Sequence, residues 1–253
     1  MNKLGQLGRS IAPWLFWLAV WAVTSAAVGQ EVLLASPAAV LRCLVGMESG
    51  GFWRSVAVSM ARTAMAYGMG VAAGCLLALC CHVSAWADVL VRPAMAVVRA
   101  TPVASFIILA LVWLTAGQTP VLAGALMVTP VVFANVTEGL ASVDRGLLEM
   151  ARIFRWSGWK TWRHVVLPSL LPTFLAACEA CVGLCFKATI AAEVIGTPKS
   201  AIGTQLYQAK IYLESDALLA WTLVVIALSM VLEALLKRVF AAAERRARHG
   251  HHP

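Results

Sequence analysis

The sequence predicts an all-α integral membrane protein with six transmembrane helices and a helix-turn-helix insert. Hydrophobic residues make up 61% of the 253 positions and charged residues 13%, whereas about 25% of a soluble domain is charged. Long apolar segments recur along the chain, and the charges gather at their ends. One basic, amphipathic segment, residues 144–168, interrupts the apolar pattern. The length fits a single membrane domain over residues 1–253.

The charge and cysteine content exclude other classes of protein. A formal net charge of +8 is compatible with nucleic-acid binding, but the cations flank apolar segments and form no soluble basic domain that could hold a duplex. The seven cysteines are scattered, several of them inside apolar runs. We therefore expect them to pack as small hydrophobic side chains, not to form a disulfide framework.

The apolar segments define the predicted spans. They are residues 11–28, 56–81, 101–116, 121–136, 170–192 and 217–236, with a basic tail at 237–253. The first could also be a signal peptide, because it follows Lys3 and Arg9 and ends in small residues. Its length and its tryptophans favour a retained helix. The segment at 37–47 is a short amphipathic stretch expected on the outer face.

Glycine and proline shape the middle spans. Gly70 and Gly74 lie four residues apart in the second span, a spacing that lets helices approach closely in lipid. Residues 82–99 are predicted to connect the second and third spans. Pro102 breaks the third span early, and Pro130 is expected to kink the fourth.

The distribution of cations predicts the orientation. With the N terminus inside, the inner segments contain most of the lysines and arginines. These inner cations are Lys3, Arg9, Arg92, Arg99, Arg145, Arg152, Arg155, Lys160, Arg163, Lys237, Arg238, Arg245, Arg246 and Arg248. The outer ones are Arg42, Arg54, Arg62, Lys199 and Lys210. The excess places both termini and the insert in the cytoplasm.

The insert itself predicts two short helices. Apolar residues at helical spacing cover 147–154, and a second helical run follows Ser157-Gly158. Ser157 can cap the second helix, and Gly158 gives the backbone freedom at the turn. From charge alone, an ordinary cytoplasmic loop held near anionic lipid is an equally good interpretation.

A family resemblance favours a specific role for the insert. Glu149-x-Ala151 followed by Val165-x-Leu167-Pro168 resembles the EAA loop of bacterial ABC-importer permeases. In that family the loop docks into the ATPase subunit. The resemblance extends to SPAAVL at 36–41, VRPAMAVVRATPVASFIILALVWL at 91–114 and AAEVIGTP at 191–198, which are similar to the nitrate/sulfonate/taurine group.

The insert departs from the family pattern at two positions. Met150 replaces an alanine, and Arg155 stands where the family has glycine. Arg155 conflicts with the usual turn, and the alternative is a turn moved to Ser157-Gly158. The residues to which the resemblance assigns coupling are Glu149, Ala151, Arg152, Arg155, Gly158, Val165, Leu167 and Pro168.

The resemblance also implies the fold, the partners and the location. The fold is that of a type I ABC-importer permease in the bacterial inner membrane, and two permease copies form the path. Two ATPase subunits use ATP, and an extracytoplasmic binding protein delivers the solute. The chain itself is expected to bind no cofactor and to have no catalytic residues, because it lacks a phosphate-binding loop and any hydrolase motif.

Charges within the fifth span are candidates for the translocation path. Glu179 and Lys187 lie about 12 Å apart along a helix, too far to pair, so their partners must lie on other helices or in water. Glu193 follows at the outer end of the span. Lys187 suits an anionic substrate if it faces the path, and the alternative is a structural ion pair or a side chain that reaches the interface.

Two further groups have less specific patterns. Arg99, Thr101 and Pro102 stand at the start of the third span, where freed backbone groups can line a cavity, although a basic helix entry explains them equally well. The third group shares one helical face and could bind a soft metal, but core packing is the better explanation. It consists of Cys178, Cys181 and Cys185.

Two other functions remain as alternatives to the ABC permease. A secondary transporter driven by an ion gradient would use Glu179 or Glu193 as its ion site, but the sequence shows no inverted repeat. A membrane scaffold without transport would leave the charges of the fifth span unexplained.

Overall fold

The computed structural model describes residues 3–47 and 50–249, and within these ranges the chain is helical and contains no strand. The helices are α1 Lys3–Val28, α2 Pro37–Gly46, α3 Gly50–Val83, α4 Ala85–Ala100, α5 Val103–Trp113, α6 Thr119–Ala141, α7 Arg145–Ile153, α8 Gly158–Thr161, α9 Leu167–Gly196, α10 Ile202–Ile211 and α11 Ser215–His249, with a π-helical turn, Trp162–Val166, between α8 and α9. The fold class predicted from the sequence is confirmed.

Four helical runs are long and apolar enough to cross a membrane. They are α3, α6, the continuous run Gly158–Gly196 and α11, and they contain the second, fourth, fifth and sixth predicted spans. The apolar part of α1, Ala12–Val28, belongs to the shorter apolar helices. Among the described residues the number of spans is therefore four, or five with the bent pair described next, and the predicted number of six is not confirmed.

The third predicted span is wrong in its bounds. The helix α5 has 11 residues, about 16 Å of rise against a hydrocarbon core of about 30 Å. The preceding segment, predicted as a connection, is the 16-residue helix α4. The two helices meet at an angle of 105° and together are apolar enough for one broken span. The cause is Pro102, which disfavours a helical conformation at Thr101, where ψ is 130°.

The centre of the bundle is the packing of α3 against α6 and of α6 against α9. A Cβ atom on Gly70 would lie 2.6 Å from Cβ of Val128, and one on Gly74 would lie 2.8 Å from the carbonyl oxygen of Thr129. Both glycines therefore allow the close approach of α3 to α6 that their spacing predicted. The buried side chains of this core include Ala66, Ala78, Val128, Val132, Phe133, Val136, Cys181 and Cys185.

The α1–α2 connection is fixed to the bundle by side chains. Ser36 caps α2 by accepting from the N–H of Ala39, so the amphipathic stretch predicted at 37–47 is a helix. Trp21 Nε1 donates to the carbonyl of Ala35 over 3.1 Å, and Val40 is fully buried in a small cluster with Ala220 of α11. This cluster ties α2 to the last helix of the chain.

Candidate functional site

The first half of the insert is the short amphipathic helix α7. Asp144 begins it, with its carboxylate accepting from the N–H of Gly146 over 2.8 Å. Ala151 is buried at 1% exposure, and it is the buried residue of this helix. Glu149 and Arg152 are exposed, so their side chains are available to a partner.

The turn after α7 lies at Arg155 and not at Ser157-Gly158. Arg155 has φ of +51°, the left-handed conformation that favours glycine. The N–H of Trp156 donates to the carbonyl of Ala151 and the N–H of Arg155 to that of Arg152, both over 2.9 Å. These two bonds form a Schellman motif, so Arg155 keeps the geometry that the family achieves with glycine. The alternative of a moved turn is wrong.

The second half of the insert begins with the capping that the sequence predicted. Ser157 Oγ accepts from the N–H of Lys160 over 3.3 Å. Gly158 is the first residue of α8, and it has no positive φ. The expectation that Gly158 supplies turn flexibility is therefore wrong, because its backbone is helical.

A π-helical turn joins the insert to the long helix α9. The N–H of Leu167 donates to the carbonyl of Trp162, five residues back. Pro168 follows at once, and proline lacks a donor and crowds the carbonyl four residues earlier, here His164. The widened turn lies where this crowding must be relieved. Val165 is buried at 4% exposure, so the turn is also fixed from within the bundle.

The end of α7 exposes large apolar side chains beside cations. Ile153 is 78% exposed and Phe154 is 68% exposed. Arg152 and Arg155 flank them. A short helix with an apolar tip and a basic rim can insert into a cleft of a partner protein and form ion pairs at its edge.

The Arg99–Pro102 group lies at the bend between α4 and α5. Arg99 Nη2 donates to the carbonyl of Pro130 on α6 over 3.1 Å, and Thr101 Oγ1 donates to the carbonyl of Val97 over 2.8 Å. Arg99 also borders an open cavity of about 580 Å³ between α4 and α6. Its other charged lining residues are Arg92 and Glu138. The bend thus places the Arg99 side chain at a cavity, whereas Thr101 and Pro102 do not line it.

The charges of the fifth span face the last helix. Glu179 pairs with Lys237 Nζ of α11 over 3.3 Å, which confirms that its partner lies on another helix. Lys187 is exposed and makes no ion pair with a described residue. Glu179 and Lys187 line one groove of about 440 Å³ together with Glu233 and Lys237. The groove therefore contains two acids and two bases.

Glu193 is fully buried and lies in a separate network near the C-terminal end of α9. Its carboxylate accepts from Ser59 Oγ over 2.7 Å, from Arg62 Nη1 over 3.0 Å and from the N–H of Gly203 over 3.2 Å. Ser59 Oγ in turn accepts from the N–H of Ile202 over 3.0 Å. A Cβ on Gly203 would lie 2.4 Å from that of Glu193. The network holds the start of α10 against α3 and α9.

The predicted path residues therefore occupy three places in one chain and do not converge. Sequence reasoning missed Arg62 as the partner of Glu193 and Glu233 as a member of the groove. Glu233 carried a signal, because it is a carboxylate inside a predicted span. Arg62 carried little, because 131 residues separate it from its partner. The cysteines Cys178, Cys181 and Cys185 are buried in the bundle, as expected from core packing.

Comparison with known proteins identifies the fold. One solved structure with this fold is an amino acid ABC transporter with histidines, which has a TM-score of 0.62 and 21% identity over 78% of this chain and 94% of that one. Another is the MetNI methionine ABC transporter in inward-facing conformations, which has a TM-score of 0.58 and 16% identity over 76% of this chain and 94% of that one.

Similar sequences point to one branch of these transporters. The chain is 28% identical over 236 residues to the putative aliphatic sulfonates transport permease SsuC of Escherichia coli K12 (90% of this chain, 86% of the relative). It is 24% identical to the taurine transport permease TauC of the same organism (93% and 86%) and 25% identical to the bicarbonate transport permease CmpB of Synechocystis (65% and 59%).

The family model described as "Binding-protein-dependent transport system inner membrane component" matches residues 70–249. This match includes the insert, α9 and all of α11. The chain thus belongs to the multi-pass inner membrane permeases of binding-protein-dependent ABC importers, and within them to the nitrate/sulfonate/taurine type.

Proposed function

We propose that this chain is the membrane-spanning half of an ATP-driven importer that carries a small organic or inorganic anion, such as a sulfonate or nitrate, into the cell. Two copies of the chain form the path, two copies of a separate ATPase subunit use ATP, and a binding protein delivers the solute outside. Both termini and the insert lie in the cytoplasm. The chain holds no cofactor and catalyses no reaction itself.

The geometry of α7 is the observation that carries this proposal. The helix ends in a Schellman turn at the position of the family glycine, and its tip exposes Ile153 and Phe154. Glu149 is exposed beside them, while Ala151 is buried and fixes which face points outward. An exposed apolar tip beside charges is what docking into a cleft requires.

The remaining coupling residues transmit the movement. Arg152 and Arg155 provide the basic rim of α7, and Gly158 begins the helical run that leads back to the membrane. Val165 is packed inside, and Leu167 and Pro168 form the junction with α9. When ATP closes the ATPase dimer, α7 moves with it and the spans tilt, which changes the side to which the path is open.

The anionic substrate is supported by the relatives and by two cations. The relatives are named for sulfonates, taurine and bicarbonate. Arg99 borders a cavity and Lys187 has no ion-pair partner among the described residues, so each can meet an anion. Thr101, Pro102, Glu179 and Glu193 complete the candidate path, and the buried contacts of Glu193 favour a positioning role for it.

The test is co-purification from the native host in mild detergent. We expect an ATPase subunit to accompany the wild-type chain and to be lost from Glu149→Arg. Glu31→Arg is the matched control, because it makes the same charge change at an exposed carboxylate between α1 and α2. A well-folded chain that emerges alone, or equal loss in both variants, would contradict the proposed coupling.

A transporter driven by an ion gradient is not favoured by the contacts. Its candidate carboxylates are already engaged, Glu179 by Lys237 and Glu193 by Arg62. Membership of a binding-protein-dependent family also argues for ATP as the energy source.

A further inference from the structure

The second half of the insert contains an aromatic and basic cluster that the proposed coupling does not use. The rings of Trp159 and Trp162 are stacked, with centroids 6.1 Å apart and planes within 8°. Trp156 meets the His164 ring edge-on at 6.0 Å, and Lys160 Nζ lies 4.6 Å from the centroid of the Trp156 ring. The cluster comprises Trp156, Trp159, Lys160, Trp162, Arg163 and His164, and we call it the tryptophan cluster.

The cluster is accessible in the chain. Trp159 is 70% exposed, and Lys160 and Arg163 are exposed beside it. The indole rings, although large and apolar, stack mainly on each other and on His164. Exposed indole rings of this kind favour an environment that is apolar on one side and in contact with water on the other.

The cluster lies at one end of a helical run that is longer than a bilayer is thick. The continuous helical run Gly158–Gly196 has 39 residues, a length of about 58 Å, whereas the hydrocarbon core spans about 30 Å and the whole bilayer about 40–45 Å. Part of the run must therefore lie outside the hydrocarbon, and the polar residues Lys160, Arg163 and His164 before the apolar segment 170–192 indicate this end. The residues from Gly158 to Val166 form this end and belong to the insert.

The charge of the cluster is of one sign. Residues 156–164 contain Lys160 and Arg163 and no carboxylate, in contrast to α7, which carries Glu149. Tryptophan at the level of the headgroups with lysine and arginine beside it is the pattern by which membrane proteins hold anionic lipid. The cluster has no carboxylate with which a cation of a partner protein could pair, whereas a lipid phosphate needs only cations.

We propose that the tryptophan cluster binds the headgroups of anionic phospholipids at the membrane face where the insert lies. Trp159 and Trp162 enter the interface, while Lys160 and Arg163 contact the phosphates. The insert is thereby divided: α7 faces the ATPase, and α8 with the π-turn is held at the bilayer. This division fixes the level of α7 relative to the membrane.

Lipid retention by the purified full-length chain tests this proposal. The chain is exchanged in detergent with equal amounts of phosphatidylglycerol and phosphatidylcholine, and native mass spectrometry counts the molecules of each that stay bound. We expect the wild type to prefer phosphatidylglycerol. Lys160→Gln with Arg163→Gln should lower that preference at least about tenfold, because each cation near an anionic surface contributes about fivefold in binding. Trp159→Gln with Trp162→Gln should lower the retention of both lipids.

Two control variants make the outcome decisive. Arg42→Gln with Arg54→Gln removes two exposed cations at the opposite end of the bundle and should leave the preference unchanged. Lys160→Arg with Arg163→Lys keeps both charges and should also preserve it. Unfolding temperature without added lipid shows that each variant is folded.

Three results would overturn the proposal. They are equal retention of both lipids by the wild type, an unchanged preference in the glutamine variant, and an equal loss in the Arg42/Arg54 control. If the glutamine variant keeps its lipid and instead loses the ATPase, the cluster is part of the docking surface. That last outcome would leave the proposed function standing, whereas failure of Glu149→Arg would not affect the lipid result.

Discussion

Replacing Glu193 by glutamine should destabilise the bundle strongly. The carboxylate is fully buried and accepts three hydrogen bonds, from Ser59, Arg62 and Gly203, over 2.7, 3.0 and 3.2 Å. Glutamine has nearly the same size, but it removes the charge that Arg62 faces, and the side chain of Arg62 is itself only 12% exposed. Removing one partner of a buried ion pair costs about 3–5 kcal/mol. At about 2–4 °C per kcal/mol for a chain of this size, the unfolding temperature should fall by about 10 °C.

The assay is thermal unfolding of the detergent-purified chain, followed by the loss of the monodisperse gel-filtration peak. The control is Glu179→Gln, which breaks an ion pair whose side chains are 39% and 60% exposed. Neither side chain of this pair is buried inside the bundle, so its loss should lower the unfolding temperature by less than half as much as Glu193→Gln does. Arg62→Gln added to Glu193→Gln should cost little more, because both changes remove the same interaction. If Glu193→Gln is no more damaging than Glu179→Gln, the network does not stabilise the bundle and the argument is refuted.

Three further predictions follow from the structure. Arg155→Gly should raise the unfolding free energy by about 1 kcal/mol, because the left-handed backbone conformation strains arginine but not glycine. Arg155→Ala should not raise it, because alanine is strained in the same way. Equal shifts of the unfolding temperature in detergent for both variants would show that loss of the charge, not relief of backbone strain, changes the stability. Gly70→Val should abolish stable expression, since a Cβ at position 70 would lie 2.6 Å from Cβ of Val128. Gly68→Val should express normally in the same membrane fraction, because no atom lies within 4 Å of a Cβ there. Equal yields of the two variants would contradict the close packing of α3 on α6. Lys187→Met should lower solute uptake at least about tenfold at normal expression, and Lys187→Arg should retain it. Lys187 has no ion-pair partner among the described residues, and such a cation in the membrane is costly and marks a functional site. Uptake by the methionine variant at the wild-type rate would remove Lys187 from the path.

The sequence predicted the helices whose signals are local. Continuous apolar runs indicated α3, α6, α9 and α11, because a helix in lipid must be apolar on most of its surface. Gly70 and Gly74 predicted a close contact, although the sequence did not say with which helix. Ser157 predicted the start of α8, since capping depends on a residue three positions away.

The failures have equally physical causes. The apolar pattern of a segment does not show where the helix bends. The sequence therefore predicted a connection followed by a span in place of the bent helix pair α4–α5, although Pro102 marked the break. Glycine preference is a tendency, and at Arg155 two backbone hydrogen bonds impose the left-handed conformation on another residue. The partners of Glu193 and Glu179 depend on which helices pack together, and that information is distributed over the whole bundle.

The helical run from Gly158 to Gly196, which includes the π-turn, joins the insert to the buried network of Glu193. One end of this run follows the turn after α7, and the opposite end contains Glu193, which is hydrogen-bonded to α3 and α10. With a length of about 58 Å, a tilt of about 10° displaces one end relative to the other by about 10 Å. If the run pivots at Glu193, a small movement of the insert displaces every side chain between them in proportion to its distance from Glu193. Glu179 would then travel farther than Lys187, and the groove that they share would change shape with each stroke.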